Sequence, residues 1–373
     1  MKKKIRTLVA IMLIMVTTFG MNIEASAVGI THNSIITRRA DLPDVDIDGF
    51  DCKAVNAMGV SRSNKNCLYT IKISKDEDRA IMYFFENISN WNNKIWVELE
   101  GVGHANGMTV DTNYIYICAH TEEEEILNNN RVVRISRTAI ENANEGDVFS
   151  VANDKMQEMN VVTESNGTYT QYTESFSTIT KDVNTGTFII SKDIADETNS
   201  KQYNGFTRAE VDGANFVVST DPADMFLVEN NIDYKNAARQ DICYVSGSGL
   251  FIGRWYRKAS QDNALRNPTE NYILWADIDR YRDYKYMGYD CYIPDKIVVD
   301  VTGYIDEEFG VVKYSFFEIE SLGITGQRNL IATFNVDYTS EYEDAYEAKY
   351  KSKPVKDGIY KITKDNGTKF VLN

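Results

Sequence analysis

The stretch GVGHANGMTVDTNYIYICAH, residues 101–120, sets two of the chain's three histidines, His104 and His120, beside Asn106 and Asp111. Two imidazoles at opposite ends of a strand–turn–strand meet on one rim only when the hairpin is symmetric about its turn, here DTN. Zinc takes three or four protein ligands. Cys118 is the one further His or Cys in the stretch and sits among apolar strand residues, so His104 reads as an ordinary partly exposed histidine, or as a hydrogen-bonding group in a funnel, rather than a metal ligand.

A second candidate is LPDVDIDGFD, residues 42–51. Asp44, Asp46 and Asp48 have the D-x-D-x-D-G spacing that begins a calcium loop and wraps carboxylates around a tight turn. The place of the closing bidentate Glu is held by Val55, so calcium is an expectation resting on half a motif. Glycan cleavage needs two carboxyl groups flanking the scissile bond. Asp111, Glu174, Asp241 and Glu320 are the candidates, and sequence spacing does not fix their separation. The glutamates of residues 122–125 read as a solvated acidic tip, and GRWYRK (253–258) as a strand end able to stack on a sugar or simply to cap a sheet. G-x-S-x-G, a catalytic cysteine setting and a phosphate-cradling loop are all missing, which leaves an enzymatic role uncertain.

The elements that would position these residues are strands. Helical periodicity is confined to residues 137–144 and 341–349. Elsewhere short runs of Val, Ile, Tyr and Phe alternate with Asn, Asp, Gly and Ser, an all-β pattern. The runs repeat. NAMGV (56–60), NGMTV (106–110), STITK (177–181), QDICY (240–244) and ESLGI (320–324) each lead through a turn into a second, more apolar strand. A further strand follows each copy, as in RAIMYFF (79–85), RVVRIS (131–136), FTRAEV (206–211), YILWADI (272–278) and GIYKIT (358–363). KIWVELE (94–100) and KIVVDVT (296–302) add outer strands.

Sheets of mainly four antiparallel strands, repeated, predict a β-propeller, since a small sheet buries both faces only against neighbours like itself. Five blades fit residues 28–373, with 28–50 as a lead-in; a sixth could be assembled from 148–172 and the chain ends. First strands lie nearest a propeller axis, so Asn56, Asn106, Ser177, Gln240 and Glu320 are expected to converge on a central funnel. His104, Arg239 and Asp241 would lie beside them. Insertions at 119–130, 192–205 and 255–270 would gather on the rims.

The N-terminus carries Lys2, Lys3, Lys4 and Arg6, an apolar run over residues 8–19 and Ala25-Ser26-Ala27, the plan of a secretory signal cleaved near Ala27. The apolar run is too short to span a bilayer, which takes roughly 20 residues. Without residues 1–27 the chain has 36 basic and 54 acidic side chains, a net charge of about −18. Such a chain repels phosphate backbones, which argues against nucleic acid as a partner. Cys52, Cys67, Cys118, Cys243 and Cys291 are too scattered for a disulfide scaffold. Cys52 and Cys67 are the one local pair, while Cys118 and Cys243 sit among apolar strand residues as small hydrophobes.

DCKAVNAMGVSRSNKNCLYTIKI (51–73), FEIESLGITGQRNLIATFNV (317–336) and DGIYKI (357–362) are similar to the first and last blades of helveticin-like proteins, secreted bacteriocins and related propellers of Gram-positive bacteria. The resemblance implies a propeller fold, an extracellular location and an antagonistic role toward other bacteria. It carries over no catalytic residue. The expected function is binding of a carbohydrate, peptide or protein at the cell surface through the funnel or rim loops. The alternatives are a glycan hydrolase or lyase using funnel carboxylates, and a helveticin-like bacteriocin.

Overall fold

The computed structural model describes residues 29–371 apart from 48, 62–65, 76–78, 120–130, 193–202, 231–237, 258–268, 300, 302–304 and 307. The architecture is all-β, in five successive strand units. Strand β1 (Thr31–Asp41) precedes them, and unit 1 consists of β2 (Cys52–Val60), β3 (Leu68–Ser74), β4 (Arg79–Phe85) and β5 (Lys94–Glu100), each antiparallel to the next. Unit 2 opens with β6 (Gly107–Val110), β7 (Tyr114–Ala119) and β8 (Arg131–Ser136), followed by helix α1 (Arg137–Glu141). The short β9 (Val148–Phe149) runs parallel beside β5, and β10 (Met156–Ser165) returns as the fourth strand of unit 2, with β11 (Thr168–Gln171) hairpinned to it.

Unit 3 holds β12 (Ile179–Lys181), β13 (Phe188–Ser191) and β14 (Tyr203–Asp212), and β14 also pairs with β15 (Asn215–Val218) and β16 (Phe226–Glu229). Unit 4 runs β17 (Ala238–Val245), β18 (Gly249–Arg257) and β19 (Thr269–Ala276). A hairpin of β20 (Tyr284–Tyr286) and β21 (Tyr289–Tyr292) then leans on β16, before β22 (Asp295–Val299) completes the unit. Past a two-stranded ribbon, β23 (Ile305–Asp306) and β24 (Val311–Val312), unit 5 comprises β25 (Tyr314–Ile324), β26 (Leu330–Tyr338), helix α2 (Ser340–Tyr350) and β27 (Gly358–Lys364).

The fourth strand of unit 5 is β1, antiparallel to β27 over Ser34–Asp41. What the sequence presents as a lead-in is thus an outer strand. An unpaired β27 edge would expose its donors and acceptors, and β1 covers it. Residues 148–172 likewise join existing sheets rather than forming another, since β9 adds to unit 1 and β10 to unit 2. Cys52 and Cys67 sit at opposite ends of the β2–β3 hairpin, because antiparallel pairing sets Cys52 against Ser74. Both are free thiols, and Cys67 Sγ donates to the Glu86 carbonyl at 3.2 Å. Cys118 and Cys243 are buried, as their apolar neighbours require.

Burial follows from strand periodicity. β3 and β13 are buried along their whole length; one face of β3 is apolar, with Tyr69, Ile71 and Ile73, and the other buries Thr70, Lys72 and Ser74 beside Leu68. Each face packs against the next unit. Tyr69, Ile71 and Val97 of unit 1 share a core with Ile115, Ile117 and Val133 of unit 2. Tyr116 and Val132 then pack with Phe188 and Phe216 of unit 3, and Ile189 and Phe206 with Leu250 and Leu274 of unit 4. Phe251 and Ile273 meet Phe317 and Phe334 of unit 5. A fifth cluster joins Ile331 and Ile359 of unit 5 to Val55, Leu68 and Ile81 of unit 1.

The first strands touch in the same succession: β2 with β6, β6 with β12, β12 with β17, β17 with β25, and β25 with β2. Glycine permits that approach. A Cβ on Gly107 would lie 2.9 Å from the Thr178 and Ile179 backbone, and one on Gly323 2.6 Å from Val60 Cγ2. Among the described residues, no helix is long and apolar enough to cross a membrane.

Candidate functional site

The five polar positions aligned by the sequence repeat lie within or just before the first strands, Asn56 and Glu320 in mid-strand, and three of them are bulges. Pairing register slips by one residue between Val55 and Ala57, between Arg239 and Ile242, and between Ile319 and Ser321. Asn56, the Gln240–Asp241 pair and Glu320 are therefore the extra residues of their strands. A bulge releases a side chain from strict alternation and re-aims it.

Direct contacts bring several of these residues together. Asn56 is buried, and its Nδ2 donates to the His104 carbonyl at 2.6 Å and to Asn106 Oδ1 at 3.5 Å. Asp241 has no exposed surface, and its Oδ2 accepts the Leu322 amide at 3.1 Å, two residues beyond Glu320. Ser177 is partly buried, and its amide donates to Ser191 Oγ at 3.2 Å. Arg239 lies 6.0 Å from the centroid of the Phe206 ring and directly opposite Arg254 across the β17–β18 ladder. Arg254 is buried and bonded to Asn204 Oδ1, and burial with the neighbouring Arg239 lowers its pKa to about 9.

Asn56 and Asp241 thus clip adjacent units together. His104, Asn106, Ser177, Arg239, Gln240 and Glu320 keep partial exposure at this end of the molecule. Two carboxyl groups here are perturbed. Burial pushes Asp241 well above the usual carboxylate range, although the Leu322 and Ile242 amides pull it down. Burial, with Glu318 and Asp357 nearby, raises Glu320 likewise. Both are held toward the protonated, neutral form.

Beyond these residues the space between the first strands is narrow, with Thr180 and Lys181 beside a mainly apolar lining. Met58, Val60, Met108, Val110, Ile242, Leu322 and Ile324 surround a void of about 20 Å³, about enough for one water. At the far end Lys181 Nζ meets Asp111 Oδ2 at 2.6 Å, and the Tyr244 amide donates to Thr180 Oγ1 at 3.0 Å. Asp111 therefore sits away from the mouth. Glu174 is exposed and paired with Lys192.

In the acidic loop, Asp44 Oδ1 is 2.6 Å from Lys72 Nζ, Asp46 is exposed, and Asp48 lies outside the described residues. Asp44, Cys52 and Asp357 offer ligand atoms within 4.8 Å of one another. The Lys72 ammonium is bonded to two of these groups, reaching Asp357 Oδ2 at 2.9 Å, and it supplies the positive charge a metal would bring. Burial pushes the Cys52 thiol up to about 12, which keeps it protonated and a poor ligand. His120 and residues 122–125 also lie outside the described residues, as does most of each rim insertion.

Sequence reasoning missed a larger concavity, a groove of about 670 Å³ on the solvent face of β14, β15 and the β10–β11 hairpin. Its only sequence signal was alternation: Arg208, Glu210 and Asp212 face out while Ala209 faces the core.

No family model matches the chain, and no curated protein does. Solved structures with some likeness include an α-L-arabinofuranosidase from Lactobacillus brevis, at 9% identity and TM-score 0.42, covering 86% of this chain and 94% of that one. An α-L-arabinanase from Penicillium chrysogenum with arabinobiose gives 8% and 0.37 over 91% of this chain and 100% of that one. An exo-β-1,3-galactanase from Phanerochaete chrysosporium gives 11% and 0.37 over 91% and 67%. Likeness at this level carries no argument about activity.

Proposed function

We propose that the chain is a secreted five-bladed β-propeller, cleaved near Ala27, that binds a cell-surface glycan at the polar mouth of its first strands. Five units with five inter-unit cores support the blade number. The pairing of β1 with β27 supports closure by the N-terminal strand.

The observation that carries the function is the set of neutral donor–acceptor groups at the mouth, beside the guanidinium of Arg239. Asn106 and Gln240 offer amides, Ser177 a hydroxyl, and Glu320 a carboxyl held toward its neutral form. Such groups both donate and accept, which suits sugar hydroxyls better than it suits an ion. The test is a glycan-array screen of residues 28–373 with and without calcium, repeated with Asn106→Ala and Gln240→Ala. Loss of binding in both variants supports the mouth, and full retention overturns it. The calcium arm tests Asp44, Asp46 and Asp48 together, and dependence on the ion that Asp46→Asn removes supports that loop.

Glycan hydrolysis is the second reading, favoured by Glu320. A carboxyl whose pKa is raised can serve as a general acid. The second carboxyl that cleavage needs is not Asp241, which is fully buried and held toward its neutral form. Release of reducing ends from a bound glycan, lost in Glu320→Gln, supports it; binding without release leaves a lectin-like role. Killing of related bacteria by purified protein, without either activity, would favour the bacteriocin reading instead.

A further inference from the structure

The groove spans units 2 and 3, shares no lining residue with the void between the first strands, and has its own chemistry. Its floor is one face of a mixed sheet: β15 is antiparallel to β14 and parallel to β10, and β11 hairpins back on β10. Strand alternation sends Glu210 and Asp212 outward opposite Val217 and Asn215, and sets Tyr169 beside Glu164 across the hairpin. The wall is the turn through Ser219, Asp221 and Asp224, ordered by Ser219 Oγ donating to Asp224 at 2.6 Å and by Asp221 accepting the Ala223 amide at 2.9 Å.

Three observations converge. The space, about 670 Å³, is the size of a small-molecule or oligosaccharide site. Tyr169 is 44% exposed, and its hydroxyl is bonded to Asp212, so an accessible aromatic face is held in place at the groove edge. Among the described residues, Glu164, Glu210, Asp212, Asp221 and Asp224 line the groove with one basic side chain, Arg208. Acidic residues alone would make only a solvated face. A concave face with an anchored aromatic and excess acceptors calls for a ligand with an apolar ring face and positive charge.

We infer that this groove is a second, lateral binding site for an amine-bearing oligosaccharide. The sugar ring stacks on Tyr169, and protonated amines meet Glu210, Asp212 and Glu164.

The probe is a glucosamine tetrasaccharide, titrated calorimetrically below pH 6.5 at low salt into residues 28–373. Its N-acetylated counterpart and tetralysine serve as comparisons. The glucosamine oligomer should bind at least tenfold more tightly than either, and added salt should weaken it. Tyr169→Ala and Glu210→Gln should each reduce binding tenfold or more, with circular dichroism confirming the fold. Asn106→Ala, at the mouth, should leave it unchanged. Absence of binding overturns the inference. So does equal binding of tetralysine, which would reduce the groove to a charge effect, or full retention in Tyr169→Ala.

Discussion

The Leu322 amide donates to Oδ2 of Asp241 at 3.1 Å, tying the bulge of one first strand to the strand of the next unit. The carboxyl is fully buried and held protonated by desolvation. A group whose folded pKa is raised stabilises fully below its unfolded pKa, about 4 for Asp. That contribution is lost as pH rises through the folded value. Asp241→Asn, neutral at every pH, should therefore flatten the decline in melting temperature above about pH 4. An unchanged pH profile in the variant would refute the assignment.

Asp111 carries the opposite sign. Burial alone would raise its pKa, but hydrogen bonds from Lys181 and the Tyr114 and Asn113 amides lower it. Its contribution is present above the unfolded pKa and lost as pH falls through the folded one. Asp111→Asn should lose stability at neutral pH and converge on the parent in acid, as urea titrations at the two extremes would show.

Asn56→Ala should destabilise by about 1–3 kcal/mol, since it removes a part-buried hydrogen bond to the His104 carbonyl between units 1 and 2. Denaturant unfolding measures this. A change below about 0.5 kcal/mol, the range of ordinary surface substitutions, would show that the clip between units 1 and 2 contributes little.

Gly107→Ala and Gly323→Ala differ in what the new methyl meets. At Gly107 it meets backbone at 2.9 Å; at Gly323 it meets the ends of Val60 and Met58 side chains, at 2.6 and 3.1 Å. Overpacking costs about 1–3 kcal/mol, and the Gly107 variant should fall at the upper end because backbone cannot rotate away. Equal melting temperatures for the two would contradict that ranking.

Lys72→Met should cost roughly 3–5 kcal/mol, because it leaves Asp357, 7% exposed, without its cation. Adding Asp357→Asn should recover part of the loss. No recovery in thermal melts would mean that Lys72 acts through packing alone.

The sequence by itself determined the strand class and much of the strand placement. RAIMYFF and RVVRIS form β4 and β8 over the expected residues, and the helices expected at 137–144 and 341–349 appear as Arg137–Glu141 and Ser340–Tyr350. Local patterning suffices there, because alternation and turn residues act within a few positions. The sequence pattern aligned Asn56, Gln240 and Glu320, but that each sits in a bulge was not legible. A bulge is a property of pairing with a partner strand, and a single strand's sequence does not encode its register. The use of β1 to complete unit 5 was likewise invisible, because that contact joins residues more than 300 positions apart. Tertiary structure alone decided that Met58, Met108 and their neighbours leave only a small void between the first strands while a wide groove opens across units 2 and 3. Space is set by how units pack against one another, and no one segment contains that information.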